Sequence, residues 1–296
     1  MAASRVCVVG SLNLDTVLSV RRLPAPGETV LATAARHTPG GKGGNQAVAA
    51  ARAGARVRFV GAVGDDAAGP LLRAHLRDHD VDVAALTTTA GPSGTAVVLV
   101  EATGQNAIVV APGANERVVP TAAMGAAVAD CTVLLMQLET PVATAVAAAE
   151  QARASGAAVI LNASPLDGGS DGLAELADHV DVVVVNETEA DRWRWPVAHR
   201  VVTAGAAGAR YRGGGATLSV PAPRVTALDT AGAGDVFAGV LAAGWSRGAE
   251  PALRRACAAG ALATLVPGAG GCAPSAAAVD RVLAGEDAAA VAGVRR

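Results

Sequence analysis

The sequence predicts a doubly wound α/β fold, a mostly parallel sheet flanked by helices with a small β-sheet lid. Three observations carry this. Short apolar runs bounded by turn residues recur: RVCVVG, VRFVG, CTVLLM, AAVILN, DVVVVN and RVVTAG. Between most of them lie longer Ala/Leu stretches with helical spacing, such as NQAVAAARAG and TPVATAVAAAEQARASG. Two segments break that rhythm with paired strand patterns that have no helix between them.

Each element follows from its pattern. The six runs read as continuous Val/Ile/Leu rather than as alternation, so they are strands buried on both faces, and such strands belong to a parallel sheet covered by helices on each side. The first break pairs LDTVLSV with ETVLATAARH, and the second is GTAVVLVEATGQNAIVV with a turn at its middle. Both read as hairpins forming a small sheet outside the main layer. Between the strand ending at Asn186 and the one beginning near Arg200 only ETEADRWRWPVAH is available. A parallel crossover needs about a dozen residues, and Pro196 stops any helix by Trp195. A stunted helix of two turns is expected there, with Trp193 and Trp195 covering sheet surface that a longer helix would hide. After Asp229 the pattern turns helical, through AGDVFAGVLAAGWSRG, EPALRRACAAGALATLV and a tail from Pro274. With no repeat and no linker, residues 1–296 are expected to form one domain, its lid drawn from about residues 11–43 and 93–112.

Composition excludes several classes of function. At 296 residues and 51% hydrophobic positions the chain can bury a large core. Its 24 Lys+Arg balance 26 Asp+Glu, and no basic stripe is present to neutralise a row of phosphates, so nucleic acid is not an expected partner. The start, MAASRVCVVGSLNLD, lacks the basic region and cleavage site of a secretory signal, and no apolar run approaches the ~20 residues that span a bilayer. A cytoplasmic protein with no membrane partner is expected. Cys7, Cys131, Cys257 and Cys272 are far apart and form no CxxC pair, which suggests buried thiols rather than a zinc site or a disulfide framework.

In an open α/β sheet the ligand crevice lies at the carboxyl ends of the strands. The polar residues placed there are Asn13, Asp15, Glu139, Asn162, Asn186, Glu189 and Thr203. Any one of them alone reads equally well as a helix cap; seven on one rim argue for a site. Two glycine-rich motifs add chemistry. In LDTAGAGDVFAGV, Gly232 and Gly234 let the backbone turn sharply and present successive N–H groups where a helix begins. Such a start carries about half a positive charge and suits a group that gains negative charge during reaction, such as a transferring phosphoryl group. Asp235 is placed to accept a proton from an attacking hydroxyl. Asp229, on the near side of the turn, either orders the loop or helps hold a cation. In TPGGKGGNQAVAAARAG, Lys42 and Asn45 offer donors at a helix entry. This is not a P-loop, because glycine follows Lys42, and Gly10 starts no GxGxxG fingerprint.

Together these residues resemble the ribokinase (PfkB) family of carbohydrate kinases. GSLNLD, LPAPGET, GGKGGNQAVAAARAGA, GAVGDDAAG, APGAN, LLMQLETP, LNASP, NETEA, DTAGAGDVFAGV and GCAPS stand in family order, and MQLE with PGAN points to its ribose-phosphorylating members. The resemblance implies that Asn13, Asp15, Gly41, Lys42, Asn45 and Glu139 hold the sugar hydroxyls. It makes Asp235 the general base and Gly232, Ala233 and Gly234 the anion hole. Asn186 and Glu189 fit the family's NxxE motif near Mg²⁺ and the phosphates, Thr203, Gly205 and Gly208 match its nucleotide loop, and Gly260 stands near the nucleotide base. Asp229, Ala231, Val266, Ala269, Gly271 and Ser275 match its site for an activating monovalent cation, usually K⁺. The departures from the family are the short 187–199 segment, the alanines of TAGAAGAR and the small residue Gly260, all on the nucleotide side.

The implied activity is transfer of the γ-phosphate of ATP, with Mg²⁺, to the 5-hydroxyl of D-ribose. Composition adds to this. The 2 Phe, 1 Tyr and 3 Trp all lie outside the lid segments, whereas a nucleoside base is usually gripped by an aromatic face, so a free pentose is favoured over a nucleoside. Two alternatives stand beside it: a kinase for another pentose such as 2-deoxyribose, and a sugar-binding regulatory protein with an impaired nucleotide site. The apolar lid strands TVLSV and TAVVLV lead to the expectation of a homodimer formed through the lid.

Overall fold

The six continuous runs all become strands of one sheet. In the computed structural model, which describes residues 3–101, 105–166 and 171–293, the strands are β1 (Arg5–Val9), β2 (Asn13–Val20), β3 (Ala34–Gly40), β4 (Arg56–Gly64), β5 (Val81–Thr89), β6 (Thr95–Glu101), β7 (Asn106–Ala111), β8 (Val133–Met136), β9 (Ala158–Asn162), β10 (Val182–Asn186), β11 (His199–Thr203), β12 (Ala209–Gly213) and β13 (Ala216–Val220). The large sheet runs β13-β12-β11-β10-β9-β8-β1-β4-β5 and is parallel from β5 to β11. Only the pairings of β12, with β11 and with the edge strand β13, are antiparallel.

The helices are α1 (Lys42–Arg52), α2 (Ala68–Asp78), α3 (Ala122–Ala129), α4 (Val142–Ala154), α5 (Leu173–Asp178), α6 (Glu187–Ala190), α7 (Ala233–Gly244), α8 (Ala249–Ala263), α9 (Ala276–Leu283) and α10 (Ala288–Ala292). Successive side chains of a strand point to opposite faces, and the core divides accordingly. Val6 and Val8 pack with α1, α2, α7 and α8, while Cys7 and Val9 pack with α3, α4 and α5. All four cysteines are buried free thiols. Among the described residues no helix is long and apolar enough to cross a membrane.

The small sheet, ordered β3-β2-β6-β7, is made of two antiparallel pairs joined by a parallel β2–β6 contact. The second arm of the first hairpin differs from the expected Glu28–His37: it begins at Ala34, opposite Ser19, and ends at Gly40, opposite Asn13. Residues 28–33 are mostly exposed, Leu31 at 88%, so no facing strand rewards them for pairing. The shift delivers the chain to Gly41 at the floor of the crevice. The turn of the second hairpin lies partly outside the described residues.

The crossover after β10 is shorter than the two turns expected. The helix α6 is a single turn closed by a capping box, in which the Asn186 side chain accepts from the Glu189 N–H and the Glu189 carboxylate accepts from the Asn186 N–H. Trp193, only 2% exposed, covers the sheet in place of the missing turns. It stacks edge-on against Trp195, and its indole N–H donates to the Trp195 carbonyl.

Candidate active site

The chain order reverses direction in the sheet between β1 and β8, and the crevice opens at the carboxyl ends of these strands and their neighbours, where such a fold binds its ligand. Two helices aim their starts into it. Both α1 and α7 begin from a glycine in the left-handed region, Gly41 at φ 83° and Gly232 at φ 77°, and neither has a side-chain cap. At α7 the Gly234 and Asp235 N–H groups are left for a ligand, whereas at α1 those of Lys42, Gly43 and Gly44 are taken by the Glu139 carboxylate and by Ser11. The helices also pack closely on each other. A Cβ at Gly239 would stand 2.4 Å from the Gln46 carbonyl oxygen, so only glycine lets α7 approach α1 this near.

That approach sets the environment of Asp235. It lies in the first turn of α7, is 8% exposed, and accepts from Asn45 Nδ2 on Oδ2 and from Gln46 Nε2 on Oδ1, each at 3.0 Å. A cavity of about 140 Å³ joins Asp235 and Lys42 to Asn186, Glu189 and Thr203, with Gly232 and Gly234 also lining it. Burial works against the Lys42 charge, yet the carboxylates of Asp235, Glu139 and Glu189 together raise its pKa, so the ammonium persists. A larger cavity of about 370 Å³ opens at the amino ends of the strands. Four of the six charged residues lining it pair with one another, Arg58 with Asp82 and Asp130 and Arg5 with Asp130, so chemistry rather than size selects the smaller one.

The remaining expected sugar residues surround Gly41. Glu139, in the loop after β8, accepts from Ser11 Oγ at 2.5 Å and from the Lys42 backbone N–H at 3.1 Å. Asn13 is buried and its Oδ1 accepts from Asn115 Nδ2 at 2.8 Å, while Asn115 also bonds both backbone groups of Leu12. Asn13 is thereby turned to offer its N–H₂ group elsewhere. Asp15 packs beside Gly40, and its Oδ1 is buried with no partner. Burial pushes its pKa up to about 6, helped by the charges of Glu139 and Asp235 and opposed by the Ala96 N–H. An acceptor desolvated and unsatisfied is one that a bound hydroxyl would complete.

On the nucleotide side, Thr203 ends β11 and Gly205 and Gly208 close a tight 3₁₀ loop before β12. Gly260, on α8, faces the first turn of α7: its missing Cβ would lie 3.4 Å from the Ala233 carbonyl oxygen. The loops named for a monovalent cation are joined by Asp229, whose carboxylate accepts from the Ala231 and Gly268 N–H groups. The carbonyls of Ala231 and Ala269 both face the Cys272 thiol, at 3.8 and 3.2 Å. Val266 ends the α8 side of this loop, Gly271 is exposed, and the Ser275 hydroxyl is engaged as the cap of α9. Gly270 touches Pro39 of β3, so these loops also adjoin the small sheet.

Sequence reasoning missed Gln46, Gln137 and Asn115 as parts of the site. The APGAN motif contained Asn115 without marking it, and an amide beside Asn45 carries no local signal of what it reaches across the fold.

Comparison with known proteins places the chain in a family. The family model described as pfkB family carbohydrate kinase matches residues 3–276. The chain is 35% identical to a ribokinase of Bacillus subtilis (strain 168), covering 94% of this chain and 99% of that one. It is 33% identical to a deoxyribokinase of Salmonella typhi over 80% of this chain and 84% of that protein. The structure of Arabidopsis thaliana ribokinase complexed with ribose and ATP superposes with a TM-score of 0.87 at 30% identity, covering 95% of this chain and 99% of that one. Family model, relatives and fold agree, and the chain belongs to the pfkB family of carbohydrate kinases.

Proposed function

We propose that this chain transfers the γ-phosphate of ATP to the 5-hydroxyl of D-ribose, giving ribose 5-phosphate. The observation that carries the reading is the buried Asp235 carboxylate in the first turn of α7, in a cavity that Lys42 shares. Asp235 takes the proton of the attacking hydroxyl, a contribution of about 10²- to 10⁴-fold. The N–H groups of Gly232, Ala233 and Gly234, with the Lys42 ammonium, meet the charge that spreads over the transferring phosphoryl oxygens. Asn13, Asp15, Gly41, Asn45 and Glu139 mix donors with acceptors, as a polyhydroxyl ligand requires. Names among the relatives support this, ribokinase for the Bacillus subtilis protein and a complex with ribose and ATP for the Arabidopsis thaliana one.

Asn186 and Glu189 line the cavity where Mg²⁺ would accompany the phosphates, with Thr203, Gly205, Gly208 and Gly260 toward the nucleoside. Mg²⁺ bound with phosphates keeps several waters and takes one or two protein groups, and Asn186 and Glu189 are the polar side chains the cavity offers there. Bound Mg²⁺ supplies neutralisation of the β- and γ-phosphate charge. The Ala231 and Ala269 carbonyls and the Asp229 carboxylate suit K⁺, a cation that takes oxygen donors; the neighbouring Val266, Gly271 and Ser275 complete that loop. The small sheet serves as a lid over the sugar within a single domain. Its exposed Val97, Ile108, Val109 and Val110 favour pairing with a second copy, and dependence on ATP fits residence in the cytoplasm.

The resemblance to the Salmonella typhi deoxyribokinase favours 2-deoxyribose as a second reading. The test is ATP consumption with each sugar in K⁺ buffer, with the phosphorylated carbon assigned by ³¹P-coupled NMR. Higher kcat/KM for ribose with phosphate on C5 supports the first reading, and higher kcat/KM for 2-deoxyribose the second. Consumption with neither sugar refutes both.

A further inference from the structure

We infer that Gln46 is a positioning residue for phosphoryl transfer: it fixes the carboxylate of the base Asp235 from behind, through a buried chain of amides. The inference rests on the kinase reading above. Gln46 has no solvent exposure, lies one residue past Asn45 on α1, and has no route to a sugar or a nucleotide. Its side chain instead meets three partners. Nε2 donates to Asp235 Oδ1 and to Asn162 Oδ1, each at 3.0 Å, and Oε1 accepts from Gln137 Nε2 at 2.7 Å.

The orientation of this amide is forced. Asn162 Nδ2 is spent on the Val184 carbonyl at 3.2 Å, so the Asn162 atom facing Gln46 is an acceptor. Asp235, ionised as a base must be, offers only acceptors. A flipped Gln46 would set an oxygen against two oxygens and an N–H₂ group against that of Gln137. The single remaining arrangement uses both N–H bonds and ties Asp235 to the ends of β8 and β9 through Gln137 and Asn162. Every polar atom of the Gln46 amide is thus bonded, which holds it in one geometry, and the chain of amides ends at Gln137, whose own Oε1 is buried without a partner.

The consequence for chemistry is a division of labour on the carboxylate. Gln46 takes Oδ1, and Oδ2 is held by Asn45, a residue the proposed sugar site shares. When a hydroxyl competes for Oδ2, the carboxylate cannot rotate away, because Oδ1 is anchored to the sheet. Loss of the anchor costs positioning in the reacting complex more than it costs sugar binding, and misplacement of a reacting group by about 1 Å can reduce rate by about 10²-fold.

Gln46→Glu tests this, since it keeps the size and the acceptor for Gln137 but turns a carboxyl oxygen toward Asp235 Oδ1. The expected result is a kcat lower by about 10- to 100-fold, with KM for ribose within about threefold of wild type. The acid limb of the kcat–pH profile should move to higher pH, because two facing carboxyls share a proton. Wild-type kcat and pH profile in Gln46→Glu, or a fall in kcat that only tracks lost folded protein, would overturn the inference. Should that variant fail to fold, Gln137→Leu removes only the bond that orients Gln46. It is expected to lower kcat severalfold at constant KM for ribose, and an unchanged kcat there would equally overturn it. Ribose-dependent ATP consumption by the wild type is measured alongside: its absence refutes the kinase reading, whereas its presence with unperturbed variants refutes only the role of Gln46.

Discussion

Replacing Asp15 with asparagine should make the protein more stable and its sugar site worse. Burial, with the nearby charges of Glu139 and Asp235, raises the Asp15 carboxyl from 3.8 to about 6. A shift of about two pH units corresponds to ~3 kcal/mol of native-state cost when the group is ionised. The sign follows from linkage. The folded state holds the proton more tightly than the unfolded chain, so stability falls as pH rises from about 4 to 6, and the full cost is present above that window. Asp15→Asn removes the charge, and in thermal melts at pH 7.5 its Tm should exceed that of wild type by roughly 5 °C. The advantage should shrink to ~1.5 kcal/mol at pH 5 and nearly vanish by pH 4. Its KM for ribose should rise about 10- to 100-fold, because hydrogen bonds to a charged acceptor are worth ~1.5–3 kcal/mol. An Asp15→Asn protein no more stable than wild type at pH 7.5, or one whose advantage does not decline toward pH 4, would refute the reasoning.

Three further substitutions probe other parts of the account. Asn115→Ala strips the partner from Asn13 Oδ1 and from both Leu12 backbone groups; steady-state kinetics should show KM for ribose raised about tenfold and KM for ATP little changed, with ~1–3 kcal/mol of stability lost in urea titration. Gly232→Ala must hold φ 77° and bring a Cβ within 2.8 Å of Ala269 Cα, so kcat should fall about 10²-fold while ribose affinity by calorimetry is kept. Trp193→Ala empties the space where a crossover helix is lacking; denaturant unfolding should register ~3–5 kcal/mol of destabilisation, with kcat at low temperature largely retained.

The large sheet was legible because β1, β8, β9 and β10 are buried on both faces and written as nearly unbroken apolar runs, with shorter apolar runs marking β4 and the only partly buried β11. The strand β5 escaped notice because, at the sheet edge, only one of its faces is buried, and its pattern VDVAALTTT alternates before ending in threonines. The hairpin of β12 and β13 is short, rich in Gly and Arg, and lies at the other edge. Start and end of β3 were misplaced because Thr33, Ala34 and Ala35 give no local preference, and pairing with β2 decides the register. Residues whose chemistry shows in their own side chains, such as Asp235, Lys42 and Glu139, could be placed at the crevice from sequence, and the structure gathers them there. Gln46, Gln137 and Asn115 could not, since each acts by touching a residue about ninety or more positions distant. Cys272 was recognised as buried, but nothing near it in the chain reveals that it faces the Ala231 and Ala269 carbonyls.

The most direct test of the central claim is ADP release from MgATP and D-ribose in K⁺ buffer, measured for wild type and Asp235→Asn together with ribose binding by each. The account requires rapid ribose-dependent turnover in the wild type and a loss of about 10²-fold or more in the variant, with both proteins folded and binding ribose. A variant that turns over near the wild-type rate would contradict it, because Asp235 would then not be the base on which the site is built.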